Sequence, residues 1–382
     1  MRHLRVLSRI ALGASVPIFL FFITCSADKD APSVSESGRL SLPQIFVYDL
    51  PHEFEKDIIT KFPTCSTHQW AFEVFLPKLL RKSMGAVSPA SADFFLVPFP
   101  VKCFNNFVAH HNKEVVDKTY TSLLNWVKNT HPWFDISGGN DHIFIFPSGL
   151  GARIFPSAQQ YLPRSIFLVA EGDRSRNDTT SANQIVVPGY STVPRRDYVH
   201  SDRPILGYFR GNIVGNVATH SGEKVPMNHT LRISLMNELQ HRQDFIFSDK
   251  KSKTYQDELN KVKFVICPRG ITPWTRRVFD ALLSAAVPVI ISDDAEFPFE
   301  SEVDWSLFTV KIAEADAIKP GFIVNKLQNL VDSRRYHIKL AEGQRYRHLF
   351  DWSDGTHVLN SILVQLGHRR RVFKHGSKRT WD

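Results

Sequence analysis

The sequence predicts an α/β fold with two domains. From residue 44 onward, short runs of β-forming residues alternate with segments of helical spacing, which is the pattern of strands joined by crossover helices. Residues 287–291 are an uninterrupted apolar run, typical of a strand buried on both faces of a parallel sheet. The 382 residues are too many for one ordinary core and enough for two domains.

The first predicted domain covers residues 42–200. Pro51 ends its first strand and Pro98 ends its second, because proline interrupts regular structure. The predicted strands are residues 44–50, 92–97, 143–146 and 165–173, the predicted helices are residues 69–80 and 110–130, and residues 184–187 and 190–198 close the domain.

The second predicted domain covers residues 201–350. Its predicted strands are residues 245–248, 264–267, 287–291 and 307–312, after an opening segment at 204–211, and its predicted helices are residues 231–239, 255–262, 275–286, 324–331 and 336–350. Residues 351–366 are predicted to form a closing helix that packs back on the first domain, and residues 367–382 a basic tail.

The N-terminus has the pattern of a targeting segment. Residues 10–27 are almost wholly apolar and follow Arg2, Arg5 and Arg9, which predicts a signal anchor over residues 1–27 with a lumenal body. A cleaved signal peptide is the alternative reading of the same residues. Residues 28–41 are a polar stem. The sequons at Asn177 and Asn228 fit a lumenal body.

Charge and cysteine content exclude two classes of function. Most of the +9 net charge belongs to the N-terminal arginines and the C-terminal tail, so the body is nearly neutral and does not resemble a nucleic-acid binder. The four cysteines form no CxxC motif, which argues against a structural zinc site. In an oxidising lumen Cys65 can pair with Cys103, leaving Cys267 buried and unpaired.

Residues 263–299 form the most informative stretch. They predict a strand, a loop broken by prolines and glycine, a helix and a second strand. Thr272 is the predicted N-cap of the helix, so its free backbone N–H groups and the nearby Arg269, Arg276 and Arg277 predict an anion site. Surface arginines on an ordinary crossover are the alternative.

Several short motifs resemble the exostosin-like glycosyltransferases, family 47. They are CPRG, TPWTRRVFDAL, VPVIISDD, FPF and DW in and after the informative stretch, with VYDLP and FRG earlier, and SGGNDHIFIFPSGLGA, which is also similar to plant extensin arabinosyltransferases. The resemblance covers residues 41–366. It implies a GT-B fold in which two Rossmann-like domains face each other across a cleft.

The resemblance also implies a function. A member of this family is expected to move a sugar from a UDP-sugar donor to a glycan or glycoprotein acceptor, with inversion and without metal or cofactor. We expect a single-pass type II protein of the Golgi membrane, with a possible complex with another glycosyltransferase as a further expectation. The rival hypothesis within the same fold is a non-catalytic scaffold or partner subunit.

Candidate site residues follow from the rule that ligands of open α/β sheets bind beyond the carboxyl ends of strands. The donor-site candidates are Arg210, Gly211, Arg269, Gly270, Thr272, Arg276, Arg277, Asp293 and Asp294. Asp293 and Asp294 do not have the spacing of a metal motif, and a loop cap is their alternative. The candidates for the base that accepts the acceptor's proton are Asp49, Glu171 and Asp173.

Asp280 departs from the family pattern. The family usually has a glutamate in this helix that binds the ribose hydroxyls, and the resemblance assigns that role to Asp280. The shorter side chain, with Ala285 and Ala286 where the family often has Gly and Cys, is what keeps the scaffold hypothesis open. If Asp280 does not bind ribose, we expect it to pair with Arg276 or Arg277 on an exposed helix surface.

Overall fold

The computed structural model describes residues 42–175, 183–197, 203–213, 216–218, 224–226 and 230–377. The predicted anchor and stem, and the sequon residues Asn177 and Asn228, lie outside these ranges. Among the described residues, no helix combines the length and the apolar character needed to cross a membrane.

The first half of the chain contains a five-stranded parallel sheet. Its strands follow one another in chain order: β1 Ile45–Val47, β2 Phe94–Val97, β3 His142–Ile145, β4 Ile166–Val169 and, after the short β5 Gly172–Asp173 outside this sheet, β6 Gln184–Val186. Successive residues point to opposite faces. In β2, Phe94 and Leu96 belong to one apolar core, and Phe95 and Val97 belong to another.

A second parallel sheet occupies the other half. Its spatial order is β10 Phe245–Ser248, β7 Ile205–Arg210, β11 Val262–Pro268, β12 Val287–Ile291 and β14 Val310–Lys311. The fully buried β12 is the strand that the apolar run 287–291 predicts. Two parallel α/β units confirm the predicted fold class, and the arrangement is that of a GT-B protein. The paired strands β8 Asn216–Ala218 and β9 Lys224–Pro226 form a separate hairpin.

Helices connect these strands. In the first half they are α1 Lys56–Lys61, α2 Phe72–Met84, α3 Val101–Phe107, α4 Lys113–Thr130, α5 Trp133–Ser137 and α6 Ala158–Tyr161. In the second half they are α7 Thr230–Leu239, α8 Tyr255–Leu259, α9 Arg277–Leu283, α10 Glu314–Ala317, α11 Phe322–Asp332, α12 Arg335–Tyr346 and α13 Thr356–Ser377.

The two halves are joined by more than the chain between them. Strand β5 pairs antiparallel with β13 Ala295–Glu296, which belongs to the second half. Before α13, Trp352 stacks on Phe72 of α2 and donates its indole N–H to the Pro188 carbonyl at 2.8 Å. One apolar core contains residues of both sheets, so the halves pack as a continuous body.

The helix in the informative stretch is shorter than predicted. The prediction of a helix over 275–286 with Thr272 as N-cap is wrong, because α9 spans only Arg277–Leu283 and Arg276 precedes it without a side-chain cap. The indole of Trp274 packs so closely on Gly189 that a Cβ there would overlap it. This packing holds the residues before Arg276 in a loop. A free helix N-terminus therefore does not supply the expected anion site.

The closing helix is longer than predicted. Helix α13 continues through Ser377, so the prediction that residues 367–382 form a separate tail is wrong up to that residue. No proline interrupts the helix and Gly376 is near its end. Arg369 donates to the backbone carbonyls of Asn183 and Gln184 at 2.9 and 2.6 Å, which anchors α13 on the edge strand of the first sheet.

A disulfide joins Cys65 to Cys103, while Cys267 is free and buried in β11. Cys65 lies before α2 and Cys103 lies in α3, so the bond fixes the start of α3 beside α2. Asp141 and His142 form a local unit at the amino end of β3, where the Asp141 carboxylate accepts from Ser137 at 2.6 Å and contacts the His142 ring at 2.7 Å. They do not contribute to the carboxyl-end surface.

The packing predicts opposite effects for two glycine substitutions. Gly207 lies in the central strand β7, where a Cβ would overlap the Phe245 ring, so Gly207→Ala should lower the free energy of unfolding by about 1–3 kcal/mol. Gly343 lies inside α12, where the added Cβ would make ordinary 3.7 Å contacts, so Gly343→Ala should raise it by about 0.5–1 kcal/mol. Denaturant unfolding measures both, and the same sign for both variants would contradict the packing.

Candidate active site

A cavity of about 630 Å³ lies at the carboxyl ends of the two parallel sheets. Gln69, Trp70 and Glu171 line it from the first half, and residues that follow β7, β10 and β11 line it from the second. Parallel sheets bring the carboxyl ends of their strands to one edge, which explains why loops of different strands meet here. We call this cavity the cleft.

Glu171 is the carboxylate of the first half that faces the cleft. It follows β4 and is only 5% exposed. The Trp70 indole N–H donates to its Oε1 at 3.2 Å, and the Thr272 hydroxyl donates to its Oε2 at 2.8 Å. Burial raises the pKa of Glu171, while these two hydrogen bonds and the charge of Lys102 oppose the rise. The contact with Thr272 crosses from one half to the other.

Lys102 is a buried cation behind Glu171. It is 2% exposed, and its Nζ lies 4.6 Å from the centroid of the Trp70 ring, whose N–H binds Glu171. Burial lowers the pKa of Lys102 to about 8, and the carboxylates of Glu171 and Glu73 oppose that fall. A buried cation next to a carboxylate favours the ionised carboxylate. The charge of Lys102 therefore opposes the rise in the pKa of Glu171 that burial causes.

Glu73 fixes the position of Lys102. Its carboxylate accepts from the backbone N–H groups of Lys102 and Cys103 at 3.0 and 2.8 Å, at the start of α3. Burial raises the pKa of Glu73 to about 8. Neither Glu73 nor Lys102 is among the candidates that the sequence predicts, since no motif marks them.

Two arginines form the opposite wall of the cleft. Arg277 donates through Nε and Nη2 to the Arg210 carbonyl at 2.8 and 2.6 Å and through Nη1 to the Thr275 hydroxyl at 3.0 Å. Arg232 donates to the carbonyls of Asn212, Arg269 and Pro268 at 2.7, 2.9 and 3.2 Å. A guanidinium has five N–H donors, so each keeps donors beyond these hydrogen bonds.

The two guanidinium groups share one aromatic ring and repel each other. Their Cζ atoms lie 4.8 Å (Arg277) and 5.5 Å (Arg232) from the centroid of Phe209. Burial and, to a lesser extent, the charge of Arg277 together lower the pKa of Arg232 to about 9. An anion in the cleft would relieve this repulsion. Arg232 is not among the candidates that the sequence predicts, because a lone arginine in a helix gives no signal of burial.

Arg210 lines the cleft, but its charge is already balanced. Its Nε and Nη2 donate to the two oxygens of Glu258 at 2.7 and 3.0 Å, and Nη1 donates to the Lys250 carbonyl at 3.0 Å. Gly211 beside it lines the cleft too, and a Cβ there would overlap the Arg277 guanidinium. The Arg210 backbone therefore positions Arg277, while its side chain is held by Glu258.

Asp280 is buried rather than on an exposed helix surface. It is 1% exposed, its Oδ1 accepts from the Ser191 hydroxyl at 2.6 Å and its Oδ2 accepts from the Tyr255 hydroxyl at 2.9 Å. Arg276 Nε lies 3.4 Å from Oδ2. The expected pairing with Arg276 is observed, but the expected exposure is wrong, because Ser191 of the first half covers this carboxylate.

The other candidates do not line the cleft. Arg269 points towards Glu314 and Asp294, with N–O distances of 3.6 and 4.0 Å, and Asp293 caps the same loop by accepting from the Glu314 backbone N–H at 3.2 Å. Gly270 is absent from the lining as well. The base candidates Asp49 and Asp173 are also outside it: Asp49 lies 3.7 Å from Lys56 with 84% of its side chain exposed, and Asp173 accepts from Ser175.

The charge and donor balance of the cleft favours an anion. In the part of the chain that the structure describes, its lining contains six cations and three carboxylates: Arg210, Arg232, Lys250, Lys251, Arg276 and Arg277 against Glu171, Asp249 and Asp280. The buried indole N–H of Trp274, also in the lining, has no hydrogen-bond partner among the described residues. Within those residues, no group of three His, Cys, Asp or Glu side chains could hold a metal ion.

A comparison of the sequence with models of known protein families decides the family. The family model described as "Exostosin GT47 domain" matches residues 40–327, which are three quarters of the chain. The chain belongs to the exostosin GT47 family. This confirms the resemblance carried by the motifs from VYDLP to VPVIISDD, and it makes the chain a member of a glycosyltransferase family.

Similar proteins within this family come from plants. The "Probable glucuronosyltransferase GUT1" of Oryza sativa subsp. japonica is 25% identical over 99% of this chain and 95% of its own. The "Probable beta-1,4-xylosyltransferase IRX10" of Arabidopsis thaliana is 24% identical over 96% and 95%. Among solved structures, Anabaena HepE in complex with UDP-glucose covers 87% of this chain and 99% of its own, at 10% identity. The TM-score is 0.37, and this structural similarity is too low to support a conclusion.

The burial of Asp280 predicts a stability cost. Asp280→Asn keeps the shape but removes the charge that the Tyr255 and Ser191 hydroxyls bind, so the free energy of unfolding should fall by about 1.5–3 kcal/mol. Asp249→Asn is the control, because Asp249 lines the same cleft but is exposed. Denaturant unfolding compares them. Equal stabilities would mean that Asp280 is not bound as described.

Proposed function

We propose that this GT47 protein is an inverting, metal-independent glycosyltransferase that moves a sugar from a UDP-sugar to a hydroxyl of a glycan or glycoprotein acceptor. One observation carries the proposal: a single buried carboxylate, Glu171, lines the cleft from the first half, and the unbalanced guanidinium groups of Arg232 and Arg277 line it from the second. Inverting transfer needs a base on one side of the sugar and positive charge on the leaving group on the other.

The proposed reaction is a single displacement. Glu171 accepts the proton of the acceptor hydroxyl while that oxygen forms a bond to the anomeric carbon of the sugar. The bond from this carbon to the diphosphate oxygen breaks, and its electron pair leaves with UDP. Arg277 and Arg232 stabilise the charge that develops on the diphosphate, and the Trp274 N–H is a free donor for the same ligand.

The environment of Glu171 suits a base. A carboxylate with a raised pKa takes up a proton more readily than an exposed one, while the charge of Lys102 favours its ionised form. The acceptor hydroxyl would replace Thr272 at Oε2, because the Trp70 indole holds Oε1 from the same half of the protein. Of the three base candidates, Glu171 alone lines the cleft, which supports it over Asp49 and Asp173.

The proposals of metal independence and of a UDP-sugar donor are supported by the chemistry of the cleft and by membership of the family. Guanidinium groups can balance a diphosphate in place of a divalent cation, and the cleft has an excess of them. No cofactor is needed beyond the donor itself. Names of relatives include a glucuronosyltransferase and a xylosyltransferase, so UDP-glucuronate and UDP-xylose are the first donors to test.

We also propose a Golgi location with a lumenal catalytic body. The arginines ahead of the apolar residues 10–27 support a type II orientation, since positive charge favours the cytosolic side. The sequons at Asn177 and Asn228 are compatible with the lumen.

The second candidate function is a non-catalytic glycan- or nucleotide-sugar-binding subunit. It is favoured by the bonds that already occupy two donor-site candidates: Asp280 with Ser191 and Tyr255, and Arg210 with Glu258. A scaffold would bind UDP or a glycan without releasing UDP from a donor.

Glu171→Gln tests the enzyme proposal. With a panel of UDP-sugars and glycan acceptors, the lumenal body should release UDP, and Glu171→Gln should lower kcat by about 10²–10⁴-fold while UDP affinity is kept. Asp173→Asn and Asp49→Asn are matched controls that should retain activity, and excess EDTA should not inhibit. UDP binding without turnover across the panel would favour the scaffold, and rescue of an EDTA-inactivated enzyme by manganese would refute metal independence.

Lys102→Met tests the electrostatic role of Lys102. The base is active when ionised, so activity is lost as pH falls through the pKa of Glu171. Removing the Lys102 charge removes an interaction that lowers that pKa, so the acid side of the pH profile of kcat/KM should move to higher pH. Lys102→Arg keeps the charge and should restore the profile. A uniform loss of activity with an unmoved profile would leave Lys102 a packing residue only.

A further inference from the structure

A second cavity, of about 670 Å³, lies in the second half of the chain and shares no lining residue with the cleft. Its size is within the range of small-molecule sites. Trp305, Leu307 and Ile338 supply apolar surface, and Leu307 and Ile338 are 40% and 64% exposed. The cations of the lining are Lys311, Lys326, Arg335 and Lys339. We call this cavity the basic pocket.

The lining has no free carboxylate to balance these cations. Among the residues that the structure describes, its one acid is Glu300, whose Oε2 is bound by Arg174 and whose Oε1 accepts from the Phe297 backbone N–H at 2.8 Å. Asp304 does not line the pocket; its Oδ1 accepts from the Ser306 backbone N–H at 2.9 Å, and its charge offsets part of that of Lys339 alone. The pocket therefore carries a positive excess.

The cations are arranged at a cost to the helix. Arg335 and Lys339 are four residues apart in α12, and like charges at that spacing destabilise a helix. Burial lowers the pKa of Lys339, and Arg335 and Lys326 lower it further, while Asp304 raises it. Acids at i+4 would stabilise such a helix face. Instead, Lys326 has Leu330 there and Arg335 has Lys339.

We propose that the basic pocket binds a carboxylate-bearing oligosaccharide, a stretch of glycan that contains uronate residues. A sugar ring has an apolar C–H face that can pack on Leu307, Ile338 and Trp305. Its carboxylate suits Arg335, which can bind both carboxylate oxygens with its planar fork of donors. Glycans are the substrates of the family to which the chain belongs. The site would hold an acidic part of the acceptor or product at a distance from the cleft.

Arg335→Glu tests this site without loss of folding. The substitution places a carboxylate four residues before Lys339, so the thermal midpoint should stay equal or rise while the binding site is lost. The affinity of the full-length variant for fluorescently labelled trigalacturonate should fall by about tenfold or more. Charge-assisted hydrogen bonds are lost, and the new glutamate repels the carboxylates of the ligand. Raising the salt concentration should weaken binding to the unaltered protein.

Arg345→Glu is the matched control, because Arg345 lies on the same helix, is exposed and does not line the pocket. Its affinity for trigalacturonate should stay within about twofold of the unaltered protein. Xylotriose is neutral and has no carboxylate to bind the cations of the basic pocket. It should therefore bind at least tenfold more weakly than trigalacturonate.

Four outcomes would overturn the proposal. The first two are no detectable trigalacturonate binding at millimolar concentration, and an equal loss of affinity with Arg345→Glu. The third is equally tight binding of hexaglutamate, which would indicate a site for acidic peptides. The fourth is a loss of affinity with Arg277→Gln but not with Arg335→Glu, which would place the ligand in the cleft. UDP release from a UDP-sugar with a short neutral acceptor should be unchanged by Arg335→Glu. Failure of this inference is therefore separable from failure of the proposed function.

Discussion

One apolar core holds the two sheets together, and the geometry of the cleft depends on it. The same cluster contains Leu96 and Ile143 of the first sheet and Val265 and Ile290 of the second. Burial of apolar side chains is non-directional and contributes about 25 cal/mol for each Å² removed from water, so a shared core of this kind resists separation of the halves. The strand pair β5–β13 and the helix α13 add directional bonds to it. The opposing walls of the cleft are therefore positioned by packing some distance from it.

The charges around the cleft are difficult to explain by stability alone. Removing an ion from water is costly, and a buried ion pair often contributes no more than apolar residues of the same volume. Glu73, Lys102 and Glu171 are nevertheless buried in the first half, and Arg232 is buried in the second. Each is hydrogen-bonded or close to an opposite charge, which limits the cost. The arrangement keeps a carboxylate on one wall and two guanidinium groups on the other, which suits a reaction that separates charge.

The sequence predicted the strands and the family well, but it predicted the arginine wall poorly. Apolar runs such as 287–291 need no tertiary information, because a strand buried on both faces has to be apolar. The choice between Arg269 and Arg232 as a cleft residue does require tertiary information. Arg269 adjoins the glycine of the CPRG loop, yet its side chain turns towards Glu314, while Arg232 reaches the cleft from α7, 37 residues earlier in the chain. The start of α9 was misjudged for the same reason, since the packing of Trp274 on Gly189 joins the two halves and has no local signature.

The contact between Thr272 and Glu171 links the conformation of the cleft to its chemistry. Both oxygens of Glu171 are bound in this structure, one by Trp70 of the same half and one by Thr272 of the other. A base must have an oxygen within hydrogen-bonding distance of its substrate, so one of these bonds has to be exchanged. The Trp70 bond is supported by the contact of Lys102 with the indole, whereas the Thr272 bond joins the two halves and therefore also depends on how the second half approaches the first. A hydrogen bond to a charged group contributes about 1.5–3 kcal/mol, an amount that an entering acceptor hydroxyl can replace with an equivalent bond. In the proposed reaction this exchange can therefore proceed without a large change in energy, with Thr272 holding the proposed base in place until the acceptor binds.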